Sequence, residues 1–350
     1  MKGIRQWTYA FCAASVLCSC VRLELRTSDD ASDRSKVAFR LDWGNVSEVE
    51  RPESAYIALN SLTDGIHYLF ETDADGGYLP ESASDSSALY GNYVMLAYSC
   101  DSENYILSGP ERFLDDKSLS VRDFRATVKE LPADELSALK DGSTLDFNAA
   151  YRFIRTPEPL WCASLKGEVS DTRENVYDFS MMPMQIGLTL SVDVAAESGI
   201  TISSVVAELS GIPATFSLLT GEADETDLAR VIFRMGASAG GYEGSFAVPG
   251  LFPSENVSLS TGPGILRLSV TAEKDSVKKV LHPAINIGNQ ITSAALMEHV
   301  PGSDGYRIAK RSARIVIDRP LRVGAGSFSG ADGGDGVEKW FDSDVVDVEI

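Results

Sequence analysis

Short runs in which apolar and polar residues alternate, broken by Gly, Asp, Ser and Pro, constrain this chain more than any other feature. Val37, Phe39, Leu41 and Trp43 alternate with Ala38, Arg40 and Asp42. Ile186, Leu188, Leu190, Val192 and Val194 alternate with Gly187, Thr189, Ser191 and Asp193. A period of two puts each set on one face of a strand, so both runs predict half-buried strands. Comparable runs recur at 54–59, 66–71 and 91–100, and again at 204–210, 214–219, 230–235, 241–248, 264–272, 278–287 and 311–318. Turn chemistry such as Asp73-Ala74-Asp75-Gly76-Gly77 and Thr220-Gly221-Glu222 lies between them. Many short strands spaced by turns predict antiparallel sandwiches. One stretch departs from this pattern. Val121, Phe124, Val128 and Leu131 fall at helical spacing and predict a helical island over 120–139, interrupted at Pro132, with Asp134 to Leu139 reading as one more turn or two. A polar stretch near 167–175 then separates the two series of strands. The expectation is an all-β chain of two tandem β-sandwich domains, residues 37–172 and 173–322, with a short helical insertion in the first.

The N-terminus predicts an address. Lys2 and Arg5 precede an apolar run from Trp7 to Leu17, and Leu17-Cys18-Ser19-Cys20 closes it. A basic start, an apolar centre and a small residue before the cut make a secretory signal over residues 1–19. Leu three residues before Cys20, with Ser19 between, resembles a bacterial lipobox, in which Cys20 takes the lipid and becomes the mature N-terminus. The run is too short to span a bilayer, which needs roughly 18 or more apolar residues. Residues 20–36 are polar, with Ser28-Asp29-Asp30-Ala31-Ser32-Asp33, and predict a flexible tether. Arg26 and Arg34 within it are candidate protease sites.

The formal net charge is −20, and removing Lys2 and Arg5 with the signal leaves −22. Such a surface argues against nucleic acid as a partner, because phosphate binding needs clustered cations. Of five cysteines, Cys20, Cys100 and Cys162 remain after the signal. Cys100 and Cys162 both lie in apolar strand-like runs, and buried thiols are favoured over a disulfide.

The search for chemistry finds little. His67, His282 and His299 have no metal-ligand spacing around them. No nucleophile elbow and no phosphate-binding loop occurs. Asp73-Ala74-Asp75-Gly76 and Asp332-Gly333-Gly334-Asp335-Gly336 lack the later Glu of a calcium loop, so turn chemistry accounts for both. No catalytic residue, metal or cofactor is expected, and the chain is read as non-enzymatic. Paired carboxylates hidden by distance in sequence keep a hydrolase as a third alternative. Trp43 and Trp161 sit in apolar runs and are expected in cores, which leaves Trp340 and Phe341 as the conspicuous rings in a polar context.

The tail, 323–350, is rich in Gly, Ser and Asp up to Gly336. It ends with Val346, Val348 and Ile350 alternating with Asp347 and Glu349, after Trp340 and Phe341. A flexible segment leading to a strand-capable end is a candidate for pairing with a sheet edge, in its own molecule or in another.

Several segments together resemble one family. Leu209-Ser210-Gly211-Ile212, Phe216-Ser217-Leu218 and Thr220-Gly221-Glu222 are similar to a segment of fimbrillin-like lipoproteins of Bacteroidota. So are Gly244-Ser245-Phe246, Gly250-Leu251-Phe252-Pro253, Pro159-Leu160-Trp161, the strand at Val37 to Trp43 and the tail from Trp340 to Ile350. The resemblance is to members related to minor fimbrial anchor subunits. It implies transthyretin-like sandwiches, an outer-membrane lipid anchor at Cys20, and fimbrial or other surface protein subunits as partners, joined by strand addition. Val21-Arg22-Leu23 follows Cys20 where this lineage often has an acidic run that directs export to the outer face; the cell surface is still expected over the periplasmic face. A surface glycan-binding lipoprotein of a nutrient-capture system is the alternative.

Overall fold

The computed structural model of the chain describes residues 37–47, 50–63, 65–79, 90–99, 103–140, 152–170, 175–254, 256 and 261–324. The described residues form an all-β body with two short α-helices. The first series of strands is β1 (Val37–Asp42), β2 (Ser54–Ser61), β3 (His67–Asp73), β4 (Gly76–Tyr78), β5 (Gly91–Ser99), β6 (Tyr105–Ser108) and β7 (Arg125–Val128). Helix α1 (Ala133–Lys140) follows, then β8 (Trp161–Val169), β9 (Asn175–Ser180) and β10 (Met182–Pro183). The second series is β11 (Ile186–Ala196), β12 (Thr201–Pro213), β13 (Thr215–Ser217), β14 (Leu228–Ser238), β15 (Gly241–Val248), β16 (Ile265–Lys274), β17 (Val277–Leu281) and β18 (Ala284–Asn286). Helix α2 (Gly288–Ala294), β19 (Met297–His299), β20 (Tyr306–Ile308) and β21 (Ser312–Val323) complete it.

The strands build two eight-stranded sheets. The first has the order β10-β8-β5-β2-β3-β4-β1-β9, and the second β17-β16-β12-β14-β15-β11-β21 with β18 beside β16. β9 and β10 follow residue 172 in the chain yet pair with β1 and β8. The first sheet therefore runs to Pro183, and the second starts at Ile186.

Burial explains the strand patterns. Val37, Phe39 and Leu41 of β1 face a core with Ile57, Leu59, Phe70, Met95, Trp161 and Phe179. The opposite face of the same sheet, through Ala58, Leu96, Tyr98 and Cys162, joins a larger core that continues into the second sheet. β2 and β5 are thus covered on both faces, which is why β5 is an unbroken apolar run instead of an alternating one. β11 keeps the alternation because only its Ile186, Leu188, Leu190 and Val192 face is fully covered. β14 and β15 pair only where they meet, from Gly236↔Glu243 to Ser238↔Gly241. The second sheet folds over at that hairpin, and its two layers enclose the shared core.

The Asp73 to Gly77 segment is a hairpin turn. Asp73 pairs with Gly76, and the Trp43 Nε1–H donates to the Ala74 carbonyl at 2.6 Å. Gly76 has φ +101°, and a Cβ there would lie 2.1 Å from the Phe39 carbonyl oxygen. Only glycine lets β4 approach β1 this closely.

Of the helical island expected over 120–139, the part beyond Pro132 is helical, as α1, and the part before it is not. A single 3₁₀ turn, Val121–Asp123, is closed by a Ser120/Asp123 capping box. The chain then extends into β7, which pairs with β6 on one side and with β13 on the other. Val121, Phe124 and Val128 are all fully buried, but in an edge-to-edge pairing that helical spacing does not reveal. Pro132 does not interrupt a helix: its carbonyl accepts from Leu136 N at the start of α1. α1 lies over the second sheet, where Leu136 and Leu139 cover Phe153, Val206 and Ile232.

Candidate assembly surface

The two series of strands are tied together by main-chain bonds as well as by the common core. β13 of the second series completes a three-stranded sheet with β7 and β6 of the first. Phe153 bridges to Arg230, Ile154 N donates to the Arg230 carbonyl at 2.9 Å, and Arg230 N donates to the Arg152 carbonyl at 2.9 Å. At the crossing point between sheets, buried Gln185 accepts from Leu160 N at 3.1 Å and donates to the Tyr105 hydroxyl. Sequence reasoning missed Gln185; its signal is a lone amide between Met184 and Ile186 at a sheet change.

The sheets of this body end in open strand edges. Among the described residues, β9 and β10 end the first sheet, β17 and β21 end the second, and β13 and β6 end the three-stranded sheet. Edge strands expose unpaired N–H and C=O groups and template further pairing unless they are guarded. The guards here are unequal. β10 contains Pro183, β17 contains Lys278 and Lys279, and β21 contains Pro320, all residues that discourage pairing. β6, Tyr-Ile-Leu-Ser, has no charge and no proline. Ile106 on β6, Met182 on β10 and Val277 on β17 each leave about half of the side chain in water, at 57%, 53% and 51%. Large apolar groups displayed on open edges are what a strand-adding partner would cover.

A hollow of about 410 Å³ lies beside β13 and is lined by Arg125, Thr215, Glu222, Asp224, Glu225 and Asp304 among others. Two of its carboxylates are engaged by hydroxyl groups. Asp224 is held below the usual carboxylate range by the Thr226 hydroxyl, 2.7 Å away, and then by the Thr226 N–H. Glu222 accepts from Ser303 Oγ at 2.5 Å.

The residues singled out for chemistry fall as follows. His67 stacks on Phe113 at 4.3 Å and bonds its carbonyl. His299 packs edge-on against Tyr306, and His282 lies 3.5 Å from Ser269 Oγ. Trp43 and Trp161 meet edge to face at 5.8 Å inside the first core, as their apolar runs predict. Cys162 is a buried free thiol, and burial pushes its ionisation far above the ordinary thiol range. Cys100, Cys20, Trp340, Phe341, Val346, Val348 and Ile350 lie outside the described residues. No described helix is long and apolar enough to cross a membrane.

No family model and no curated protein matches the chain. Solved structures do. A candidate adhesin from Bacteroides ovatus aligns over 85% of this chain and 99% of its own, with a TM-score of 0.50 and 14% identity. A candidate cell adhesion protein from Bacteroides eggerthii covers 90% of this chain and 94% of its own, at TM-score 0.46 and 11% identity. The fimbrial anchor protein Mfa2 from Porphyromonas gingivalis covers 78% of this chain and 95% of its own, at TM-score 0.41 and 11% identity. The structural neighbours are thus candidate adhesins, candidate cell adhesion proteins and a fimbrial anchor from Bacteroidota, the lineage of the family that the motifs resemble. The chain shares the fold of the Bacteroides ovatus candidate adhesin.

Proposed function

We infer that the chain is a non-enzymatic lipoprotein of the outer membrane that acts as a fimbrial anchor, assembly or adhesin-like subunit at the cell surface. Cys20 carries the lipid, and 21–36 is the tether to β1. The partners are other surface protein subunits, bound by strand addition through the terminal segment. Val346, Val348 and Ile350 supply one apolar face of that strand, and Trp340 with Phe341 supply its anchor rings. Main-chain bonds give such a joint its affinity, and alternate side-chain pockets give its specificity. The observation that carries this reading is the fold shared with the candidate adhesin over 85% of this chain and 99% of that one. The open edges with half-exposed Ile106, Met182 and Val277 support it, because exposed apolar groups on an open edge are what an added strand would cover. Within this reading, 37–172 and 173–322 remain our proposed division into domains, with β9 and β10 of the second stretch completing the sheet of the first and the shared core binding both into one body.

Removing residues 342–350 tests the joint. The truncated protein should still reach the membrane fraction and lose co-purification with the surface subunits that accompany the full chain. Undiminished co-purification would exclude the tail as the joining strand.

A further inference from the structure

We propose that the body is built to carry tension from its N-terminal end to its C-terminal end, through a parallel strand clamp at each; this rests on the reading above, in which the membrane holds one end and a partner the other. Most strand pairs here are antiparallel, but the first and last strands of the body are held differently. β1 runs parallel to β9 in continuous register from Val37↔Asn175 to Asp42↔Ser180. β21 runs parallel to β11 from Gly187↔Ser312 to Ala196↔Val323, with one irregularity between Val192 and Val194.

The direction of load follows from this geometry. A pull arriving from the N-terminus acts on Val37 and draws β1 backwards along its own axis. The opposing pull reaches β9 at Ser180, where the chain continues to the rest of the body. In a parallel pair these two points lie at opposite ends of the ladder, so the strands are sheared past one another. The bonds of a parallel ladder are evenly spaced and share that load together. The second clamp repeats the arrangement. β11 is held at Ile186 by the chain from the first sheet, and β21 is pulled at Val323 toward the tail.

Packing backs both ladders. Sliding β1 would drag Phe39 away from Phe70, Tyr177 and Phe179, whose rings lie at centroid distances of 5.4, 5.8 and 6.3 Å. Sliding β21 would pull Ile315, Ile317, Leu321 and Val323 out of the shared core. In each clamp the ladder bonds and the buried side chains must therefore give way together. That raises the barrier to forced unfolding without requiring a large equilibrium stability.

Single-molecule stretching tests this on the purified, unacylated chain. One set of handles is placed at its two ends, and a second set at Asn45 and Ser180, which lie at the same end of the β1–β9 ladder. The end-to-end pull loads the ladders in shear, whereas the second pull opens one of them bond by bond. The expected result is an unfolding force several-fold higher end to end than between Asn45 and Ser180. Phe39→Ala should lower the first force while the untouched β11–β21 clamp keeps its own event. Equal forces in the two geometries would overturn the clamp. Neither membrane nor partner enters the measurement, so a failure of the anchoring reading leaves this result standing, and the reverse.

Discussion

Cys20→Ser is expected to abolish incorporation of labelled palmitate and to move the protein from the detergent phase to the aqueous phase. Lipid attachment at a lipobox needs the thiol, and the serine hydroxyl does not replace it. Each buried methylene of an acyl chain contributes about 0.8 kcal/mol to membrane binding, and stable anchoring needs more than one such chain. No helix among the described residues is long and apolar enough to cross a membrane. The acidic balance of the chain, −20 before processing, gives no attraction to an anionic lipid surface. Membrane partition that survives the substitution would show that Cys20 is not the anchor.

Arg230→Met is expected to lower the stability of the body by about 3–5 kcal/mol, the usual cost of breaking a buried ion pair. Arg230 on β14 pairs with Glu208 on β12, and the two side chains are only 9% and 3% exposed. Removing the guanidinium leaves the Glu208 carboxylate uncompensated beneath Phe153 and α1. Arg230 also receives and donates main-chain bonds to 152–154, but those do not involve its side chain. The double variant Glu208→Leu/Arg230→Met should recover most of the loss, because apolar replacement of both partners removes the stranded charge. Chemical denaturation of the two variants beside the parent measures this. A single-variant loss below about 1 kcal/mol, as for exposed pairs, would contradict the assignment.

These features were unequally visible in the sequence. β11 was legible because one face is covered and the other wet, so its side chains alternate. β5 was legible as a strand, but its burial on both faces hid which side met which core. The 120–131 part misled because Val121, Phe124 and Val128 enter one core while Leu131 packs against another, and the pairing of β7 with β13 joins residues far apart in the chain. α2 carries Gly288, Asn289, Thr292 and Ser293, none of them strong helix formers, and its place is set by packing against β21 instead of by propensity. Glu208 and Arg230 left a faint mark, each a charge set inside an apolar strand, yet only the register of β12 on β14 brings them to one face. The assembly surface was legible only in part. The tail's alternation is plain in sequence, whereas an open edge is a property of the sheet order and has no local signature.

Strand-mediated assembly is tested most sharply by photo-crosslinking in cells from a probe placed at Val348. Adducts with another surface protein subunit are expected, lost when a probe-free chain saturates the joint. Absence of any protein adduct, together with retention of the chain on a polysaccharide affinity gel, would contradict strand-mediated assembly and favour a glycan-capture role.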